Sequence, residues 1–425
     1  MTQIVFLTLF LGLTMGRQPV AVSVTGAPAA RVEITLDGKP AAMIARAPWK
    51  ASVDFGDRLL PRRLVARALD ENGNELARVE QRVNLPRRVS EASLVMEGNS
   101  ARLVWQSLEN EKPKDIHWML DGERIASNST RISLPAYDPE KPHLLRAVAT
   151  STSGLVAEAE FVFGGGLSDS AGASLTPIPV RIEKSEAEIR NAITVNGEPA
   201  QIVAIEKLPA DIIFVREPSL SNFAFRIDVE SRVHGREGFD VVGGTTVPLN
   251  RQQGTRFIWP VAIRTKGTSE ADLFASSRTF MVGDAPGMRN VLGRVSAPQS
   301  ENLRFADAVA VAGLQAAGSR RPRAVVLITG AKYRDWSQLA PEKAREYLGS
   351  IGVPLYVWTV GGATPEAWGE PRRIDGGNRV SDAARDLLDD VQHQRIVWIA
   401  GDHMLGDVLV TSDSVRPLWL SPMNP

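Results

Sequence analysis

The sequence predicts a multi-domain chain in which two all-β sandwiches precede an α/β doubly wound unit. Three observations carry that reading. Before Gly164 the chain is a succession of short alternating strands punctuated by turn signals, with no helical periodicity, which is the pattern of sandwiches. After Thr176, apolar strands alternate with segments whose apolar residues recur at i, i+3, i+4 and i+7, as helices crossing over a parallel sheet do. Between the two, Gly164-Gly165-Gly166-Leu167-Ser168-Asp169-Ser170-Ala171-Gly172 has the composition of a flexible linker.

The first element is an apolar run at 4–13, too short to span a bilayer comfortably and followed by Thr14-Met15-Gly16. Residues 1–16 therefore read as an export signal cut close to Arg17. No Lys or Arg precedes the run, so a retained N-terminal anchor is the alternative. Residues 17–86 and 87–163 read as two copies of one module. Val32-Glu33-Ile34-Thr35-Leu36 runs into Asp37-Gly38, and Trp118-Met119-Leu120 into Asp121-Gly122. The strand at 64–68 precedes Asn72-Gly73, and that at 144–149 precedes Ser153-Gly154. Both pairs are about 80 residues apart, the signature of a duplicated sandwich. Trp105 and Trp118 belong to its core, and Asn128-Ser129-Thr130 to a polar turn. Residues 164–175 form the linker.

Residues 176–401 supply the α/β elements. Val180-Arg181-Ile182 opens the unit, and 192–205 reads as a hairpin turning at Asn196-Gly197. Ile212-Ile213-Phe214-Val215 predicts a strand covered on both faces. Phe257-Ile258-Trp259 and Val261-Ala262-Ile263 form one strand, interrupted by Pro260 at an edge or bulge. Phe280-Met281-Val282 leads to a helix that Asp284 caps, with Met288, Val291, Leu292 and Val295 on its apolar face. Phe305, Ala308, Val309 and Ala312 repeat that spacing before a strand at 324–329. Pro341 starts a helix that buries Ala344, Tyr347, Leu348 and Ile351 ahead of a strand at 355–360. A last helix buries Val380, Ala384, Leu387, Leu388 and Val391, and Ile396-Val397-Trp398-Ile399 closes the parallel sheet. Residues 402–425 form a C-terminal extension.

The apolar run of Ala210 to Val215 breaks off into Arg216-Glu217-Pro218-Ser219-Leu220-Ser221, at the strand end where ligands sit in such sheets. This stretch resembles the first strand and Asp-x-Ser-x-Ser metal motif of a von Willebrand factor type A domain, with Glu217, Ser219 and Ser221 at the matching positions. The resemblance covers 176–401 and implies a divalent-cation site completed by a Thr and an Asp. Leu303, in Leu303-Arg304-Phe305-Ala306-Asp307-Ala308, stands at the Thr position, and Gly330 follows Thr329 where the family has Asp. Mg²⁺ needs near-octahedral oxygen ligands at about 2.0–2.1 Å. The resemblance with these departures implies a degenerate site holding no metal and no cofactor, with Ser219 and Ser221 capping a helix. The sandwiches resemble bacterial immunoglobulin-like domains with Asp-Gly turns, without the cysteine pair and core tryptophan of antibody domains.

Composition narrows the function. Cysteine is absent, which removes disulfides, thiol nucleophiles and thiolate metal sites, and is compatible with a bacterial periplasm, cell surface or secreted location. Lys and Arg equal Asp and Glu at 49 each, so nothing draws the chain to nucleic acid. His117, His143, His234, His393 and His403 are scattered, and no nucleophile elbow or phosphate loop occurs. Arg320-Arg321-Pro322-Arg323 reads as a solvated flank of the strand it precedes. Asp382, Asp386, Asp389 and Asp390 read as the polar face of the last helix.

The expectation is an exported, non-catalytic protein that binds another protein of the cell envelope. Within four positions, Tyr333, Arg334 and Trp336 are residue types enriched at binding hot spots, in the loop where the family places a metal-binding Asp. Two rivals stand beside this reading. One is a metal-dependent adhesion module that takes its missing acid from Asp307 or Asp335; the other is a hydrolase with an unrecognised site.

Overall fold

A computed structural model of the chain describes residues 2–10, 12–26, 29–86, 90–107, 112–151, 156–165, 175–220, 252–263, 273–298, 302–330, 333–362, 364–375 and 377–419. The first sandwich contains β1 (Gln3–Phe6), β2 (Arg17–Thr25), β3 (Arg31–Leu36), β4 (Lys39–Ile44), β5 (Lys50–Asp54), β6 (Arg62–Leu69) and β7 (Glu75–Val83). The second contains β8 (Ser90–Glu97), β9 (Ser100–Ser107), β10 (Pro113–Leu120), β11 (Glu123–Ile125), β12 (Arg131–Ser133), β13 (His143–Ser151) and β14 (Val156–Phe163). Three strands, β1-β2-β5, face four, β4-β3-β6-β7; in the second copy β8-β9-β12 face β11-β10-β13-β14. Each strand of the first copy thus maps onto the strand seven later, in both sheets, and the repeat read from the turns is a repeat of topology. This is an immunoglobulin-like sandwich architecture.

Local chemistry explains the copies. Asp37-Gly38 and Asp121-Gly122 all have positive φ, as the two central residues of a type I′ hairpin turn require. Val32 and Ile34 on β3, and Ile116, Trp118 and Leu120 on β10, alternate into the cores. Trp118 is fully buried, and its Nε1 donates to Ser129 O at 2.8 Å. Asn128 Oδ1 accepts from Ile116 N at 2.6 Å, so 128–130 is the polar turn expected. Trp105 packs against the same core. Ser153 and Gly154 lie outside the described residues.

The N-terminal run, whose apolarity predicts an export signal, packs as a strand of the first sandwich. β1 pairs antiparallel with β2, Ile4 opposite Val24, and Ile4 is buried. Phe10 meets Phe55 edge-on at 5.1 Å. Thr14 N donates to Asn84 Oδ1 at 2.6 Å, and Asn84 Nδ2 donates back to Thr14 O at 2.9 Å. The run alternates: Ile4, Phe6 and Phe10 face in, while Val5, Leu7 and Leu9 face out. A period of two satisfies an edge strand, and β8 is the counterpart of β1 in the second copy. The first sandwich therefore begins at Gln3, not Arg17.

β15 (Leu175–Ile182), the short α1 (Ile189–Ala192), β16 (Ile193–Val195), β17 (Glu198–Pro199) and β18 (Ile202–Glu206) follow. β16 and β17 form the hairpin at Asn196-Gly197. The α/β core comes next: β19 (Asp211–Arg216), β20 (Gln253–Ile263), β21 (Leu273–Ser276), β22 (Phe280–Val282), α2 (Ala285–Arg294), α3 (Phe305–Gly318), β23 (Arg323–Gly330), α4 (Pro341–Ser350), β24 (Leu355–Val360), β25 (Arg372–Arg373) and α5 (Gly377–Gln392).

The sheet order is β21-β20-β19-β23-β24-β25, with β22 also on β20; β21 and β22 are antiparallel and the rest parallel. One face packs on α3 and α4 through Ile213, Val215, Val325 and Leu327. The other packs on α2 and α5 through Ile212, Phe214, Val326 and Ile328. Both faces of β19 are buried, as its unbroken apolar run requires. Asp284 Oδ1 caps α2 by accepting from Gly287 N at 2.7 Å. Pro260 lies past the last residue pair of β20 with β19, within a register shift against β21.

Three further expectations are corrected. Ile396-Val397-Trp398-Ile399 lies in β26 (Gln394–Ala400), which runs antiparallel between β15 and β18 and takes no place in the parallel sheet. Residues 402–419 are no loose extension. β27 (Val408–Val410) pairs with β16, β28 (Val415–Pro417) pairs with β15, and Trp419 is buried in the core they share. The α/β core is thus an insertion between β18 and β26 of a discontinuous β unit. Asp390 is buried, ion-paired with Arg181 and hydrogen-bonded by Tyr356, unlike the exposed Asp382, Asp386 and Asp389.

The Arg320–Arg323 segment is not a solvated flank either. Arg320 Nη1 donates to Glu160 Oε2 at 2.6 Å, and Arg321 pairs with Glu158 at 3.4 Å, both acids on β14 of the second sandwich. Arg323 is buried, its guanidinium donating to Gly352 O at 2.9 Å and Ala317 O at 3.1 Å, and burial lowers its pKa to about 10. The first sandwich docks too: Leu59 lies in the α3–α4 core, and Tyr347 Oη donates to Asn84 O at 2.9 Å.

Candidate interaction site at the carboxyl edge of the parallel sheet

Counting β21 and β22 as one edge position, the strands of the α/β core follow the order 3-2-1-4-5-6, and the crevice where that order reverses lies between β19 and β23. Arg216 closes β19. Its buried guanidinium donates to Leu292 O near the carboxyl end of α2 at 2.8 Å and to Leu220 O at 2.7 Å. Burial lowers its pKa to about 10, and a cation is favoured at a helix C-terminus. Arg216 thereby fixes the loop that carries the candidate residues.

Glu217 is only 2% exposed. Its Oε2 accepts from Gly330 N at 2.6 Å and its Oε1 from Ser219 Oγ at 2.5 Å. One carboxylate thus bridges the first and fourth strands of the core across the crevice. The extra methylene of Glu over Asp gives it that reach. Ser219 donates its hydroxyl to Glu217; Ser221 and the helix that the two serines are expected to cap lie outside the described residues. A Cβ on Gly330 would sit 2.6 Å from Leu220 Cδ2 and 3.1 Å from Glu217 Oε2, so an Asp here would require the Leu220 side chain to move and would crowd the Glu217 carboxylate. Leu303, at the expected Thr position, is buried in the α3–α4 core.

The loop after β23 is docked on α3 by reciprocal hydrogen bonds. Asp335 accepts from Phe305 N at 2.9 Å and Ala306 N at 3.2 Å, capping the first turn of α3 from a distance. Asp307 accepts in return from Gln338 N and Leu339 N, each at 3.0 Å, and from Arg304 Nε at 2.7 Å. Both acids that could complete a cation site are therefore engaged by protein donors. Among the described residues, no group of three His, Asp or Glu side chains is placed to hold a metal.

Tyr333 is an anchor. Its ring stacks on Phe305 at 4.8 Å, its hydroxyl donates to Asp335 Oδ2 at 3.0 Å, and it accepts from Trp368 Nε1 at 2.8 Å. Burial, with Asp335 adding to it, raises the phenol pKa far above its usual value. Arg334 and Trp336 point the other way. Arg334 is exposed, and Trp336 is 62% exposed although its backbone N–H is held by Leu303 O at 2.7 Å. Sequence reasoning missed Arg216, Phe305, Asp335 as a cap, and Trp368. For Asp335 the signal was present: an acid near small polar residues is a helix-capping type, but its helix lies 30 residues upstream.

A cavity of about 2030 Å³ lies elsewhere, between the sandwiches and the α/β core. Its charged lining is internally paired, Arg63 with Glu80 at 3.2 Å and Arg320 with Glu160.

Two outcomes follow from this geometry. Millimolar Mg²⁺ should leave the melting temperature unchanged, because the Glu217 carboxylate already has donors on both oxygens. Gly330→Asp, which supplies the acid that the resemblance implies, should destabilise the protein by about 1–3 kcal/mol through overpacking against Leu220 and crowding of Glu217. Thermal melts with and without Mg²⁺ check both; a metal-dependent rise in either protein would revive the adhesion reading.

No family model and no curated protein matches the chain. Among solved structures, fibronectin(III)-like modules of Clostridium thermocellum CbhA are 15% identical over 40% of this chain and 100% of theirs, with a TM-score of 0.16. The central fibronectin-III array of RIM-binding protein is 12% identical over 43% of this chain and 75% of its own, at 0.20. A β-glycosidase from Bacteroides vulgatus is 7% identical over 38% and 24%, at 0.21. Likeness at these scores carries no argument about this chain.

Proposed function

We propose that the chain is a non-catalytic interaction protein whose α/β core follows the von Willebrand factor A plan, with the cation replaced by a protein carboxylate. The 3-2-1-4-5-6 strand order and the Glu217 bridge at the crevice support that plan. The observation that carries the binding reading is Trp336: a large aromatic side chain held in water by a segment whose backbone is tied to Leu303 O and to the Asp335 carboxylate. A fixed loop loses little conformational entropy on binding, and Trp with Arg is the pair most often found at hot spots. Tyr333, Asp335 and Trp368 serve as its frame, and Arg334 and Trp336 as its contact residues. The proposed partner is another protein, of the cell envelope.

The test is recovery of cross-linked partners from native envelope by wild type and by Arg334→Ala, Trp336→Ala. Both side chains are exposed, so the double variant should melt within about 0.5 kcal/mol of wild type. Partner recovery should fall at least about tenfold, as loss of a hot spot predicts. Equal recovery from an equally stable variant would remove the loop from the interface.

A further inference from the structure

The seven-strand mapping places one lock in both sandwiches, with one difference. In the first, the Asp37 side chain accepts from Arg63 N at 2.8 Å through Oδ1 and from Arg62 Nη1 at 2.8 Å through Oδ2. In the second, Asp121 Oδ1 accepts from Leu144 N at 2.8 Å, and its Oδ2 lies 2.7 Å from His143 Nδ1. Arg62 and His143 are the first residues of the equivalent strands β6 and β13. The backbone bonds repeat as well, Asp37 N to Arg63 O at 2.8 Å and Asp121 N to Leu144 O at 2.9 Å. The same turn is locked by a permanent cation in one copy and by a titratable ring in the other.

His143 faces acceptors on both sides. Its Nε2 lies 2.7 Å from Asp138 O, so both nitrogens can be satisfied only if both carry a proton. The ring is buried between Tyr137, at 5.3 Å, and Phe163, at 5.6 Å. The charged groups around it are Asp121 on the β10–β11 turn and Asp138 and Lys141 on the preceding loop, the last two paired at 3.0 Å. Burial alone would lower its pKa; the hydrogen bonds to Asp121 and to Asp138 O outweigh that and leave it raised. The loop in turn holds the start of the linker. Gly165 N donates to Pro139 O at 2.9 Å, and Gly164, with φ 79°, lies so close that a Cβ would strike Lys141 O.

We propose that His143 is a proton-operated latch: protonated, it ties the Asp121 turn to the 138–141 loop and so holds the linker start at Gly164-Gly165; neutral, it releases one tie. A group whose folded pKa is raised stabilises below its unfolded value, about 6.5, and that stabilisation is lost as pH rises through the folded value. The latch is closed in mild acid and loosens as pH rises through the raised folded value.

The experiment is an NMR titration of the imidazole carbons with amide exchange at Gly165, on the full chain, between about pH 6 and about pH 8. His143 should titrate above a free-imidazole reference. Exchange at Gly165, corrected for the intrinsic pH effect, should accelerate at least about threefold as the ring loses its proton. His143→Arg should abolish that acceleration. Arg62→His in the first copy should create a second, equally placed titration. Titration of His143 at or below the reference, or pH-dependent exchange that persists in His143→Arg, would overturn the latch. Should His143→Arg fail to fold, the wild-type titration and the Arg62→His variant still decide.

Discussion

Arg146→Met should destabilise the protein by about 3–5 kcal/mol, the usual effect of leaving a buried charge without its partner. Arg146 is 2% exposed on β13 and meets the discontinuous β unit: Nη2 donates to Glu206 Oε2 at 2.6 Å, and its guanidinium lies 4.9 Å over the Trp398 ring. Trp398 Nε1 donates to the same Glu206 oxygen at 2.6 Å, and Arg320 approaches the ring at 5.8 Å while pairing with Glu160. Two guanidiniums and two carboxylates share one interface with the apolar Leu144, Val162, Val203 and Ile396. Removing one cation leaves two acids facing one.

The pH dependence of the loss discriminates mechanism from mere packing. Burial raises the pKa of Glu206, even against Arg146 and Trp398. An acid with a raised folded pKa favours the fold below its unfolded value and loses that contribution as pH rises through the folded one. Without Arg146 the folded value rises further, so the deficit should be small in acid, where Glu206 is protonated, and largest near neutrality. Arg146→Met with Glu206→Leu should recover most of the loss, since apolar replacement of a whole buried pair is often neutral. Denaturant melts of the cycle at two pH values measure this. A deficit equal at both pH values, or no recovery in the double variant, would reduce the network to packing.

That interface marks the limit of what the sequence discloses. Ile396-Val397-Trp398-Ile399 is apolar on both faces, which says that both will be covered and not by what. One face meets the β-unit core and the other the second sandwich, where the sequence reading places helices. Arg320 and Arg321 look like a solvated pair because their acids lie about 160 residues upstream. Local patterns were the readable part: the I′ turns at Asp37 and Asp121, the Asp284 cap and the two-faced strand β19. At the crevice, the sequence singled out Glu217, Leu303 and Gly330 one by one, through a resemblance to the motif of another family. That Glu217 accepts from Gly330 N depends on a 2.6 Å approach between distant strands, which spacing cannot show.

Deleting residues 1–16 should cost about 5 kcal/mol or more, enough to unfold the first sandwich near room temperature given net stabilities of roughly 5–15 kcal/mol. The deletion removes β1, and with it the buried Ile4 and the Phe10–Phe55 contact. It also takes from buried Asn84 two of its hydrogen bonds, those with Thr14 N and O; a buried polar group left unsatisfied costs about 1–3 kcal/mol. Ile4→Ala alone should cost about 2–4 kcal/mol. Leu7→Ser, on the exposed side of the same run, should stay within about 0.5 kcal/mol of wild type. This contrast separates a strand from a passenger segment, because only a strand in register distinguishes inward from outward residues. Calorimetry of the three variants reads it directly. A protein beginning at Arg17 that melts like the full chain, or equal effects of Ile4→Ala and Leu7→Ser, would return the run to the role of an export signal.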